Sequence, residues 1–161
     1  MHIEPQTDAP LFKMTIPLGD NAWHRFGSET VWVEGLPDKT LRLRNTPFFA
    51  KGVSYLDIVD VKVEDHELVF AGVRSRGGHS TYRLILDDAV TDQQFAERWK
   101  TLEALGCTYE SFKDSGLRLY AIDVPPLSDV KEVFAALKAA ERDGVWDFEE
   151  GHFGPHGIPP A

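Results

Sequence analysis

The chain has 161 residues, 42% hydrophobic and 27% charged, proportions that exclude a disordered or membrane-embedded class. Twenty-six acids against seventeen bases give a formal net charge of −9, which repels phosphate backbones and favours basic partners. The excess is concentrated: residues 80–161 hold 15 acids and 8 bases, while residues 1–79 hold 11 and 9. No apolar run approaches bilayer length, and the N-terminal MHIEPQTDAP lacks the basic and apolar regions of a secretory signal. The expectation is a cytoplasmic protein with no membrane or nucleic-acid partner, and with a basic protein as the partner class its charge suits. Oligomeric state is not readable. The single cysteine, Cys107, forms no intramolecular disulfide and no thiolate metal site, so it reads as a small buried residue at a strand start.

A polar, flexible leader, residues 1–10, precedes Leu11–Leu18, a first strand that Pro17 places near a sheet edge or strand end. The loop Gly19–Ser28 carries Trp23, His24 and Phe26, expected as a hydrophobic plug over a barrel end. Thr30–Leu36 places Val31 and Val33 on one face and Trp32 on the other, and the turn at Pro37-Asp38 makes a hairpin with Thr40–Asn45. In that return strand Leu41 and Leu43 face inward while Arg42 and Arg44 share the outer face. Pro47 stops it. Phe48 and Phe49 follow; in an extended segment they face opposite sides, so one enters the barrel and the other, with Tyr55, meets the rest of the chain. Leu56–Val63 and Glu67–Arg76 form a further pair with Gly72 as a bulge, and Gly77-Gly78 closes the unit.

The period then changes. His79–Asp88 reads as a strand; Thr91 with Gln94 forms a capping box before a helix whose stripe is Phe95, Trp99, Leu102 and Leu105, stopped by Gly106. Cys107–Phe112 and Leu117–Val124 make a hairpin across Lys113–Gly116. Ser128 is the expected cap of a second helix with Val130, Val133, Phe134 and Leu137 on its apolar face, and Val145–Glu150 is a last strand. The fold class is therefore α+β: a small SH3-like barrel over 11–76 packed on a ferredoxin-like βαββαβ unit over 77–150, with a Gly/Pro-rich tail over 151–161.

The segments VWVEGL (Val31–Leu36), LRLRNTPFFAKGVSYLDIV (Leu41–Val59) and GHSTYRLIL (Gly78–Leu86) resemble the bacterial DUF4265 family of unknown function. The resemblance covers most of residues 20–150 and is most distinctive at RNTPFF and GVSY. It departs at Leu56, where the family more often has glycine. It implies a bacterial origin and a shared architecture, and it carries over no catalytic residue.

No catalytic constellation emerges from the residues. His152 and His156 are four apart, but Gly154 and Pro155 forbid the helix that would aim both at one metal, so no metal and no cofactor is expected. Gly77-Gly78 beside Arg74 and Arg76 precedes a strand, where a phosphate loop needs a helix. His79 and Ser80 point to opposite faces, and nothing fixes the separation of Asp57 and Asp60 or of Glu149 and Glu150. The reading is a non-catalytic protein-binding or regulatory module, as a toxin-immunity protein would be. The alternative is a small-molecule enzyme or sensor with a pocket between barrel and sheet, lined by Phe48, Phe49, Tyr55 and Tyr82, with Arg42, Arg44 or His79 supplying polarity.

Overall fold

Alternating valines and leucines close a barrel on themselves. In the computed structural model, which describes residues 2–19, 24, 26–114 and 116–154, strands β1 (Leu11–Pro17), β2 (Ser28–Gly35), β3 (Leu41–Leu43), β4 (Ile58–Glu64) and β5 (Glu67–Ser75) form a closed five-stranded barrel. Neighbours run antiparallel in sequence order, and β1 seals the barrel by pairing parallel to β5, Met14 opposite Leu68. Met14, Ile16, Val31, Val33, Leu43 and Val59 fill it, joined by Ala50 and Val53 from the connection that follows β3. At Gly72 (φ +140°) the register slips, so that Asp60 faces Gly72 and Val61 faces Phe70; this is the expected bulge.

The second unit contains β6 (Ser80–Leu86), α1 (Asp92–Ala104), β7 (Thr108–Asp114), β8 (Leu117–Val124), α2 (Val130–Arg142) and β9 (Asp147–His152). Its sheet order is β7-β8-β6-β9, all neighbours antiparallel. Tyr82, Leu84 and Leu86 alternate toward the helices, where Phe95, Trp99, Leu102, Val133, Leu137 and Trp146 complete a core. Thr81, Arg83 and Ile85 therefore face the barrel. The Thr91–Gln94 capping box forms with both bonds in place. Cys107 is buried before β7, and desolvation pushes its thiol up to about 12, which disfavours the reactive thiolate.

Three expectations change. Asp129, rather than Ser128, caps α2: its carboxylate accepts from the Lys131 and Glu132 amides, while the Ser128 hydroxyl donates to the Leu105 carbonyl at 2.5 Å and ties the two helices' ends. The strand expected from Leu56 begins at Ile58, because Leu56 sits at φ +68° and breaks the extended run. Phe48 and Phe49 do not divide between barrel and interface. Both leave the barrel core and join Leu119 and Ala121 in a third cluster between barrel and sheet, with Phe26, Ile85 and Phe112 against it. Trp23, Ser115 and His156 lie outside the described residues.

The left-handed Leu56 explains why glycine suits that position. Leu56→Gly and Leu56→Ala both delete the side chain, but alanine retains a Cβ at φ +68°. The glycine variant is expected to be the more stable of the two by about 1 kcal/mol in urea unfolding.

Candidate functional site

The junction between barrel and sheet holds the connection from Asn45 to Asp57, most of which is buried. Buried amides and carbonyls there need partners. Glu29, 1% exposed on β2, accepts three successive amides, from Phe48 (2.5 Å), Phe49 (2.9 Å) and Ala50 (3.0 Å). Gathering adjacent amides on one carboxylate curls the chain, which is why both phenyl rings fall on the same side. From β6, the fully buried Arg83 donates Nε to the Phe48 carbonyl and Nη2 to the Ala50 carbonyl. Its Nη1 faces the Glu149 carboxylate at 3.7 Å. Gly151 is required beside it, since a Cβ there would stand 2.5 Å from Nη1. Burial pulls Arg83 below the usual arginine value, with Glu149 and Glu29 opposing.

The first residues, expected as a loose leader, complete this network. His2 donates to Glu29 at 2.6 Å and to Glu110 of β7 at 3.2 Å, and its ring stacks on Phe48 with centroids 4.4 Å apart. With a carboxylate at each nitrogen the ring is a double donor, hence imidazolium. Burial lowers its pKa, but the bonds and charges of Glu110 and Glu29 outweigh this and hold it above the ordinary histidine value. Burial likewise raises Glu29, and His2 and the loop amides outweigh it, leaving Glu29 below the usual carboxylate range. Glu110 also accepts from the Thr46 amide (2.7 Å) and the Asn45 side chain (3.1 Å).

At the far end of the connection Asp57, fully buried, accepts from the Ser54 amide (2.9 Å), the Gly77 amide (2.9 Å) and Arg76 (3.1 Å). The hydroxyls of Ser54 and Thr81 meet at 2.6 Å across the junction. Asp57 is thus no partner for Asp60, which pairs with Arg74 on the surface at 2.7 Å.

The residues singled out from sequence separate into three places. Phe48 and Phe49 lie at the heart of the junction, and Tyr55 meets the His79 ring edge-on at 5.4 Å nearby. His79 is bonded to Asp123 (2.9 and 3.1 Å), whose carboxyl burial pushes up. Tyr82 lies on the opposite face of the sheet, in the core beneath the helices. Arg42 and Arg44 stay on the outside of the barrel, flanking Glu34 at 2.6 and 3.0 Å. Among the described residues this set is spread over three places, and neither of the two hollows described below combines it. One hollow of about 460 Å³ opens beside Phe49, lined by Ile16, Leu18, His24, Lys51, Phe70 and Glu149 among others. Sequence reasoning missed Glu29, Arg83, Glu110 and His2; the available signal was a charge in the middle of the apolar strand TYRLIL.

Among the described residues no group of three or more His, Cys, Asp or Glu is placed to hold a metal ion, and no helix is long and apolar enough to cross a membrane. A closed five-stranded barrel locked onto a four-stranded sheet with two helices defines the architecture. The model of the domain of unknown function DUF4265 matches residues 29–148, and the chain belongs to that family. The crystal structure of a hypothetical protein from Neisseria gonorrhoeae superposes with a TM-score of 0.72 over 88% of this chain and 94% of that one, at 20% identity, a likeness of fold. No curated protein matches.

Two measurements test the network. Glu29→Gln turns an amide against backbone donors and is expected to cost about 3 kcal/mol in urea unfolding. The pH dependence has a defined sign. His2, raised above 6.5, stabilises fully below that value and loses its contribution as pH rises through its folded pKa; Glu29, lowered below 4.5, stabilises above that value and loses its contribution as pH falls through its folded pKa. Both act together between about pH 4.5 and 6.5. The urea midpoint of the native chain is expected to fall from pH 6.5 toward pH 9 more steeply than that of His2→Gln. Asp123, also raised, contributes alike in both proteins and cancels in the difference. Equal slopes would remove His2 from the network.

Proposed function

We propose that the protein is a non-catalytic binding module whose acidic second unit engages a basic protein, in the manner of a regulatory or toxin-immunity protein. One observation carries this. Of the fifteen acids in residues 80–161, eleven are exposed, whereas only five of the eight bases are, because Arg83 and Arg118 are buried and Arg98 is half-buried. Folding therefore keeps the acid excess of this unit on its surface, a net −6 of its −7. The groups with the chemistry for catalysis are spent on structure: Glu29, Asp57 and Glu110 accept backbone amides, and Arg83 donates to carbonyls. Complementary charge speeds encounter and rejects acidic competitors.

We read the barrel as SH3-like and the second unit as ferredoxin-like, the latter supported by its βαββαβ order and its β7-β8-β6-β9 sheet, and we place the division at Gly77-Gly78 between residues 11–76 and 77–150. Fold analogy says nothing further about activity.

Affinity capture from the source cells with the tagged full chain is the test. The expected outcome is one specific basic protein, retained at low salt and released as salt shortens the screening length. A partner without excess positive charge, or a complex indifferent to salt, would sink the reading.

The hollow beside Phe49 favours a second reading, a small-molecule sensor at the junction, since it is of ligand size and combines an apolar wall with His24, Lys51 and Glu149. Ligand-observed NMR with a metabolite mixture decides it. A compound bound by the native chain and lost from the cavity-filling Leu18→Trp supports it; no bound compound removes it.

A further inference from the structure

A second hollow, of about 360 Å³, opens on the second unit at the edge of the sheet, between α1, β7 and β8. Half of its eight lining residues are aromatic: Phe95 and Trp99 from α1, Tyr109 from the edge strand β7 and Tyr120 from β8. Phe95 and Trp99 lie nearly parallel at 9°, and Tyr109 stands at right angles to both, 5.6 and 4.8 Å away between centroids. Tyr120 stacks on Phe95 at 4.1 Å and meets Tyr109 at 5.1 Å. The rings form a corner beneath which Phe95 and Trp99 are buried, and its accessible aromatic surface comes from Tyr109, 41% exposed, beside the half-buried Tyr120. Asp92 and Glu103 sit on its rim, both exposed.

Aromatic faces carry partial negative charge and attract cations, the more so where carboxylates stand close by and water is partly displaced. A simple apolar docking groove has no need of rim carboxylates, and an anion is repelled by both features. Two cations adjoin the hollow. Arg118 is turned inward, its Nη1 donating to the carbonyls of Asp87 and Val90 and its Nη2 meeting Asp92 at 3.3 Å. Lys100 lies on the rim and opposes an incoming cation.

We propose that this aromatic corner takes a cationic side chain, a lysine ammonium or arginine guanidinium, presented by a basic protein partner. The inference rests on the proposed function and names where on the acidic unit that partner is gripped. The chain's net charge of −9 supplies the long-range attraction, and the rings supply the short-range recognition that a diffuse acidic surface lacks. Aromatic residues of this kind dominate the energetics of interfaces.

The test is an NMR titration of the full chain with three short peptides identical but for one central residue: lysine, arginine or norleucine. The Trp99 indole N–H and the Tyr109 amide are the reporters. Saturable shifts are expected with lysine or arginine, with norleucine weaker by about tenfold. Tyr109→Leu, which keeps an apolar residue at a partly exposed edge position, is expected to weaken the cationic peptide several-fold, as are Asp92→Asn and Glu103→Gln, while Lys100→Gln tightens it. Equal response to norleucine overturns the proposal in favour of a purely apolar groove. Shifts unchanged by Tyr109→Leu assign binding to the general acidic surface and overturn it too, as does the absence of saturable shifts at millimolar peptide. Capture of a basic protein by Tyr109→Leu with unaltered affinity sinks this site while leaving the binding-module reading intact. Loss of all basic partners with peptide binding preserved does the reverse.

Discussion

The structure depends on one bracketed stretch of main chain. Between Phe48 and Ala50 the backbone crosses from barrel to sheet, and its amides are taken by Glu29 of the barrel and its carbonyls by Arg83 of the sheet. Each charge is expensive to bury alone, and each is justified by bonds to backbone groups that would otherwise be orphaned. A buried carboxylate and a buried guanidinium on opposite sides of one loop fix its height, its curl and the side to which both phenyl rings project. The hydrophobic cluster of Phe48, Phe49, Leu119 and Ala121 is then a consequence of the polar bracket as much as of apolar attraction.

The same bracket bears on function. Buried ionisable residues ordinarily invite a catalytic reading, because active sites are where such groups concentrate. Here the accounting runs the other way. Glu29 receives four donors and Asp57 three, so both carboxylates are engaged in holding main chain and neighbouring side chains. Burial of Arg83 and Arg118 also removes two positive charges from the surface of an already acidic unit. Glu110, Asp123, Glu141 and Glu149 are withdrawn from full exposure as well, so the exposed groups of that unit keep a net −6 of its −7.

Periodic features were legible in the sequence because they are local. Alternation in Thr30–Leu36 and Leu41–Leu43, the Thr91–Gln94 capping box and the Gly72 bulge each involve residues within a few positions of one another, and each has one favoured geometry. What escaped was set at long range. The separation of Phe48 from its extended geometry is decided by Glu29, nineteen residues earlier, and the facing of Tyr82 is decided by which side of β6 the helices cover. Ser128 was a sound cap by type, but its hydroxyl donates to the Leu105 carbonyl at the end of α1, and the adjacent Asp129 accepts the first amides of α2. His2 is the extreme case, a residue whose place is fixed only by two carboxylates 27 and 108 positions away.

The coupling of the two units limits how binding can work. A cleft protein that closes on its ligand needs an interface weak enough to open, polar and wet as between loosely associated domains. This junction instead joins the barrel to the sheet through Arg83, the Ser54–Thr81 hydroxyl pair and the His2 bridge between Glu29 and Glu110, all buried or nearly so, around a packed aromatic cluster. Opening it would strand several charges in apolar surroundings at once, each costing several kcal/mol. Hinge motion between barrel and sheet is therefore disfavoured, and recognition falls to surfaces already formed. Under the proposed binding role, that favours partners docking on the exposed acidic unit over ligands enclosed by domain closure, with the barrel bracing the sheet.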